Sequence, residues 1–264
     1  MGILNLTPDS FYDGGRFAGR DAALARAHAI ADAGGAIVDV GGQSYSADNP
    51  KIGEEEELRR ILPAIEALGA EDLPLAISVD TYRARVSEEV LAAGADLIND
   101  CSGLSDDALA QTVAGYDAAL VVMHIAGQLN VREPEKYRYR DAPAEIAAFL
   151  CERVRRARDA GVAADSILID PGLEFGKEPE TDIEILRRFG DLASLGYPML
   201  LAASRKNFMR RTLGLPFEDL LGPSLAAAAL GWLGGARVFR VHDVRETVTF
   251  LRMLDACGAP GSGE

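Results

Sequence analysis

Residues 1–15 read MGILNLTPDSFYDGG. A short apolar run stops at Asn5 and gives way to Thr7, Pro8, Asp9 and Ser10. That order describes a buried strand emptying into a polar loop, and the chain repeats it. Comparable runs are AIVDVGG (36–42), LAISVDT (75–81), DLINDC (96–101), AALVVMH (118–124), SILIDPG (166–172), YPMLLAAS (197–204) and RVFRVHD (237–243). Near-continuous apolar runs suit strands covered on both faces, as in a parallel sheet.

The segments between these runs carry helical spacing. Leu58, Ile61, Leu62, Ile65 and Leu68 fall on one face, as do Val244, Val248, Leu251 and Leu254. Asp243 with Glu246, and Thr181 with Glu184, read as capping boxes. The acidic run Glu54–Glu57 reads as the start of the second helix, where negative charge complements the helix dipole. Gly34–Gly35, Gly94, Gly161, Gly196 and Gly234–Gly235 stand where left-handed helix ends are expected. Eight strand–helix units predict an α/β protein, a single (β/α)8 TIM barrel over residues 1–257, with 258–264 as a flexible tail.

The totals narrow the function. The chain has 264 residues, 48% of them hydrophobic and 26% charged, which fits one globular barrel. No run approaches the roughly 20 apolar residues of a membrane span, and no basic leader precedes an apolar stretch. A formal charge of −14 disfavours nucleic acid and anionic membranes as partners. Cys101, Cys151 and Cys257 are odd in number and lack CxxC spacing, which suits a reducing cytoplasm.

In a barrel all strand ends meet at one mouth. Here they bring Asn5, Asp39, Asp80, Asn99, His124, Asp170, Lys206, Arg240 and His242. Strand one should close against strand eight, setting Asn5 near Arg240 and His242. Asp80, Asn99 and Asp170 as acceptors, with Lys206 as a donor, suit a flat heterocycle with several N–H edges. Arg240 and His242 alternate and should share a face, with the arginine fork suited to phosphate oxygens. The plainer reading is an Arg240–Asp243 rim pair. The Asn5 amide oxygen suits Mg2+, which favours oxygen and keeps several waters. His28 reads as a helix-surface residue, and His124 as a structural hydrogen-bonding group at least as readily as a catalytic one. GLEFGKE lacks the Ser/Thr of a P-loop, and GxGxxG, GxSxG and HExxH are absent.

In order, MGILNLTPDSFYDGG, IVDVGG, ISVDT, LIND, MH, LIDPG…FGK, SRK and RVHD resemble the dihydropteroate synthase family across nearly the whole chain. GPSLAAAALGWLGGA is similar to that family's penultimate helix. The resemblance implies a cytoplasmic, dimeric barrel that joins dihydropterin-CH2-diphosphate to p-aminobenzoate, with Mg2+ as cofactor. By motif, Asp80, Asn99, Asp170, Phe175, Lys206 and Arg240 would bind the pterin. Asn5, Arg240 and His242 would hold the diphosphate, with Asn5 on the metal. Asp39, Asp80 and Lys206 would serve catalysis, the two carboxylates facing positive charge on the pterin methylene. The residues that usually precede the family's first strand are missing, so the start reads as trimmed.

Two departures stand out. The family's Glu-Ser-Thr-Arg-Pro-Gly loop after strand two appears as QSYSADNP, with Ser44, Tyr45 and Ser46 in the acceptor loop. DPGxGFGK appears as DPGLEFGK, with Glu174 for glycine. The loop exchange leads to an expectation of altered acceptor affinity and reduced sulfonamide sensitivity. A methyltetrahydrofolate-binding barrel serving a corrinoid protein would share DPG and IND but has no need of Arg240–His242 or SRK. An inactive pterin-binding paralogue is the other alternative.

Overall fold

The computed structural model describes residues 1–6, 15–43, 51–131 and 133–258. Eight parallel strands form one sheet in sequential order. They are Gly2–Asn5 (β1), Ile37–Gly41 (β2), Ala76–Asp80 (β3), Leu97–Asp100 (β4), Ala119–Met123 (β5), Ile167–Asp170 (β6), Met199–Leu201 (β7) and Ala236–Phe239 (β8). The sheet curls shut where Gly2 bridges Val241 in parallel, with the Ile3 N–H donating to the Val241 carbonyl at 3.1 Å. The first strand therefore does close on the last, and the barrel expectation is met.

Strand residues alternate between two buried layers, which is why the runs look almost uniformly apolar. Val38, Val40, Ile77, Val79, Ile98, Leu120, Val122, Ile167 and Ile169 face outward into the main core beneath the helices. Leu97, Val121 and Leu200 pack inside the barrel with Leu168 and Val238. Toward the mouth the same inward rows turn polar. That switch separates a packed floor from a reactive rim.

Helices follow the strands: Gly15–Asp32 (α1), Glu54–Gly69 (α2), Ala84–Ala92 (α3), Leu109–Gly115 (α4), Ala142–Asp159 (α5), Pro179–Arg187 (α6), Asn207–Leu213 (α7), Leu221–Leu233 (α8) and Val244–Cys257 (α9). The unit after β7 contains two helices because Gly214, at φ 67°, ends α7 after two turns and Pro216 follows. On α2 the buried face is Leu58, Ile61, Ala64, Ile65, Ala67 and Leu68, whereas Leu62 sits on its flank, half-exposed. On α9 only Val244 and Thr247 are buried, while Val248, Leu251 and Leu254 are half-buried. Glu54–Glu57 does begin α2. Gly34, Gly94, Gly161, Gly196 and Gly235 have positive φ, as helix ends require.

Both capping boxes fail. Asp243 occupies the N-cap of α9, but its carboxylate takes the Arg205 guanidinium at 2.7 and 2.8 Å instead of backbone N–H groups. A bidentate ion pair outcompetes a cap. Thr181 lies inside α6, because Pro179, preset for the first helical position, starts that helix two residues earlier. No helix among the described residues is long and apolar enough to cross a membrane. Residues 259–264 of the expected tail lie outside the described residues.

Candidate active site

The polar mouth encloses a cavity of about 850 Å3, and Asn5, Asp80, Asn99, Asp170, Lys206 and Arg240 are all in its wall. Six of the nine strand-end groups therefore converge as expected. Phe175 lines it as well. The other three are placed differently, each for a physical reason.

Asp39 lies mid-strand, because Gly41 extends β2 in register with Asp80. It is fully buried and does not reach the cavity wall. Its carboxylate accepts from Ser78 Oγ at 2.5 Å, Asn99 Nδ2 at 3.3 Å and Arg240 Nε at 2.5 Å. Arg240 Nη2 also donates to Asp80 Oδ2 at 2.9 Å. The expected alternative, an Arg240–Asp243 pair, does not form, since Asp243 is held by Arg205. Asp39 thus supports Arg240 from below, while Asp80 faces the cavity beside it.

His242 does not share the cavity with Arg240. Beyond β8 the chain bridges to β1 at Val241, and the His242 ring turns to Ser204, with Nδ1 3.1 Å from Oγ. Its carbonyl accepts from Arg26 Nη2 at 2.9 Å. It keeps access to solvent at the rim, and its pKa is lowered to about 4, by desolvation first and then by Arg240. His124 is buried outside the cavity, with its ring edge-on to Phe149 at a centroid distance of 4.8 Å. Nδ1 has no hydrogen-bond partner among the described residues, so packing rather than a hydrogen bond through that atom explains it. Burial, and then Lys177, lower its pKa to about 2, so the ring is neutral. His28 is on the surface, 3.8 Å from Glu71.

Burial governs the electrostatics of the wall. The Asp80 pKa is raised to about 7, by desolvation first, against the pull of Arg240 and with a further push from Asp39. Burial also raises Asp170, opposed chiefly by Lys206. Desolvation alone would lower Arg240, but Asp39 and Asp80 together hold it above the usual arginine value. Across the cavity the Lys206 ammonium lies over the Phe175 ring, 5.0 Å from its centroid, and donates to the Leu173 carbonyl. Arg205, the middle residue of SRK, is spent on structure: at φ 54° it turns the chain and clasps Asp243.

Several groups escaped the sequence reading. Lys177 is buried in the wall and donates to the carbonyls of Gly172 at 2.6 Å and Phe175 at 3.2 Å. Desolvation lowers its pKa to about 7. Gln43 lines the cavity, with Oε1 3.4 Å from Arg83 Nη2. Glu57, read only as a helix-start charge, is buried and ion-paired with Arg83. A single lysine after FG, or one glutamate within EEEE, carries no periodic signal of such roles. Ser44, Tyr45 and Ser46 lie outside the described residues.

A barrel whose mouth gathers carboxylates, amides, arginines and lysines around a half-buried aromatic ring is built to hold a flat polar ring. The class is that of a pterin-binding enzyme, and the family model described as "Pterin binding enzyme" matches residues 1–242. The chain belongs to the dihydropteroate synthase family. It is 38% identical over 257 residues to the dihydropteroate synthase of Bacillus subtilis (strain 168), covering 97% of this chain and 87% of that one. A crystal structure of the Clostridium difficile enzyme in the presence of pteroic acid superposes with a TM-score of 0.90 at 39% identity, covering 98% of this chain and 95% of that one. The Xanthomonas albilineans enzyme with 4-aminobenzoic acid gives 0.89 at 37% identity, covering 98% and 93%.

Proposed function

We propose that this chain condenses a dihydropterin bearing a CH2-diphosphate with p-aminobenzoate, giving dihydropteroate and pyrophosphate. One observation carries the reading: Asp80, Asn99, Asp170 and Lys206 share a cavity with Arg240, which is braced by two carboxylates. Asp170 and Asp80 accept from pterin N–H groups. Asn99, whose amide nitrogen meets Asp39, offers its carbonyl oxygen. Lys206 donates to the pterin edge, and the Arg240 plane covers the ring.

The carbon–oxygen bond to diphosphate breaks with its electron pair. The aromatic amine then forms the carbon–nitrogen bond and gives up a proton to solvent or to the departing diphosphate. Asp80 stabilises the positive character left on the methylene, and Arg240 and the rim residue His242 meet the phosphates. No group of three or more metal-binding side chains occurs among the described residues. An ion held by one amide oxygen, by waters and by substrate phosphates still fits this wall, and Asn5 is the residue to hold Mg2+ there. When bound, that ion supplies Lewis-acid neutralisation of the leaving group.

The reading extends to a homodimer in the cytoplasm. Exposed Leu230 and Leu233 on α8 and Met253 on α9 support a self-associating face. Three unpaired cysteines support a reducing compartment.

The test is pyrophosphate release with Mg2+, with and without p-aminobenzoate, and identification of the pterin product by mass. Acceptor-dependent dihydropteroate supports the synthase; tight pterin binding without it supports the inactive paralogue. A pH profile adds a second check. Asp80 offers negative charge to the pterin methylene only when ionised, so kcat/KM for the pterin substrate should fall as pH drops through about 7. Asp80→Asn should remove that acid limb. Lys177 titrates in the same range with the opposite sign, losing its charge as pH rises.

A further inference from the structure

Glu174 adopts φ 69°, the left-handed region that a side chain normally avoids. A non-glycine residue persists there when its surroundings over-determine it. Here they do. The Glu174 N–H donates to Asp182 Oδ1 at 2.9 Å, anchoring the loop after β6 to a fully buried carboxylate on α6. The Glu174 carboxylate accepts from the Phe208 N–H in the first turn of α7. Its two neighbours meet the same segment: the Leu173 carbonyl accepts from Lys206 Nζ, and the Phe175 ring lies under that ammonium. Three consecutive loop residues thus hold the two sides of one short turn, and Lys206 is at its centre.

We propose that Glu174 is a positioning residue for Lys206. Its carboxylate ties the β6–α6 loop to the start of α7 and so fixes where the ammonium stands in the pterin cavity. This rests on the reading of Lys206 as a pterin-binding group.

The test compares Glu174→Ala, Glu174→Gln and Glu174→Gly with Lys206→Met, using dihydropterin-CH2-diphosphate and p-aminobenzoate. Glu174→Ala should lower kcat/KM for the pterin substrate by about 10- to 100-fold, the range that misplacement of a working group produces. KM for p-aminobenzoate should stay near its original value. Glu174→Gln keeps an oxygen acceptor for the Phe208 N–H and should recover most of the loss. Glu174→Gly relieves the strain, so its Tm should not fall as activity does, which a purely structural role would not predict. In the Lys206→Met background, Glu174→Ala should add no further loss.

Wild-type kinetics in Glu174→Ala and Glu174→Gly, with Lys206→Met strongly impaired, would overturn the positioning role alone. Tighter p-aminobenzoate binding in Glu174→Ala would also overturn it, because the carboxylate would then be competing with the acceptor. Unimpaired Lys206→Met would remove the reading beneath the proposal, and the proposal with it.

Discussion

Arg240→Met is expected to lose both activity and stability. Arg240 is the cation between Asp39, which is fully buried, and Asp80, whose pKa burial already pushes up. Removing it leaves two carboxyl groups without their counter-charge, a loss of about 3–5 kcal/mol for a broken buried pair. The methionine fills much of the volume but carries no donor. Turnover with the pterin diphosphate should fall about 10²–10³-fold, the usual effect of deleting a preorganised donor. The sign of the pH dependence follows from Asp80. A carboxyl with a raised folded pKa binds its proton more tightly when folded. Acid therefore favours the folded variant, increasingly as pH falls through the folded value toward the unfolded 3.8. Urea melts at pH 8 and pH 6 should show the variant regaining stability at the lower pH. Asp80→Asn placed on top should recover part of the loss at pH 8, because one buried charge is gone.

Gly172→Ala should unfold or displace the loop that carries the site. Gly172 has φ 64°, and a Cβ there would stand 1.9 Å from the His124 carbonyl oxygen, a backbone atom that cannot swing away. The Gly172 N–H donates to Asp170 Oδ1 at 2.7 Å, and its carbonyl accepts from Lys177 at 2.6 Å. One methyl group would therefore disturb an acceptor for the pterin and the anchor of Lys177. The expected destabilisation is on the order of 3 kcal/mol, or about 6–12 °C in Tm for a chain of this size. Gly53→Ala is the control: a Cβ there meets nothing within 4 Å. Calorimetry should place that variant near the parent and Gly172→Ala well below it. Equal melting temperatures would refute the steric argument.

The strands were legible because burial on both faces leaves eight short apolar runs, and a parallel sheet cannot be built from many other patterns. The mouth was legible because polar residues ended those runs at Asn5, Asp80, Asn99 and Asp170, and a closed barrel sends every such end to one place. Asp243 and Thr181 show where local pattern misleads. A capping signal is worth about 1 kcal/mol, so Arg205 arriving from another unit overrode the first and Pro179 the second.

The order of chemistry along the chain by itself determined the fold class, the family resemblance and the strand-end polar groups of the cavity wall. Only the tertiary structure decided which charges are partners. It put Asp39 beneath Arg240 rather than in the cavity, turned His242 to Ser204, and buried Lys177 and Glu57. These choices rest on distances of about 3 Å between residues as many as 201 positions apart in sequence. Strand alternation states which face a residue takes, but not which opposite charge it meets once water is excluded. Glu174 joins both halves: its identity was visible in DPGLEFGK, and its strained reach to α7 appeared only when the loop met the helix.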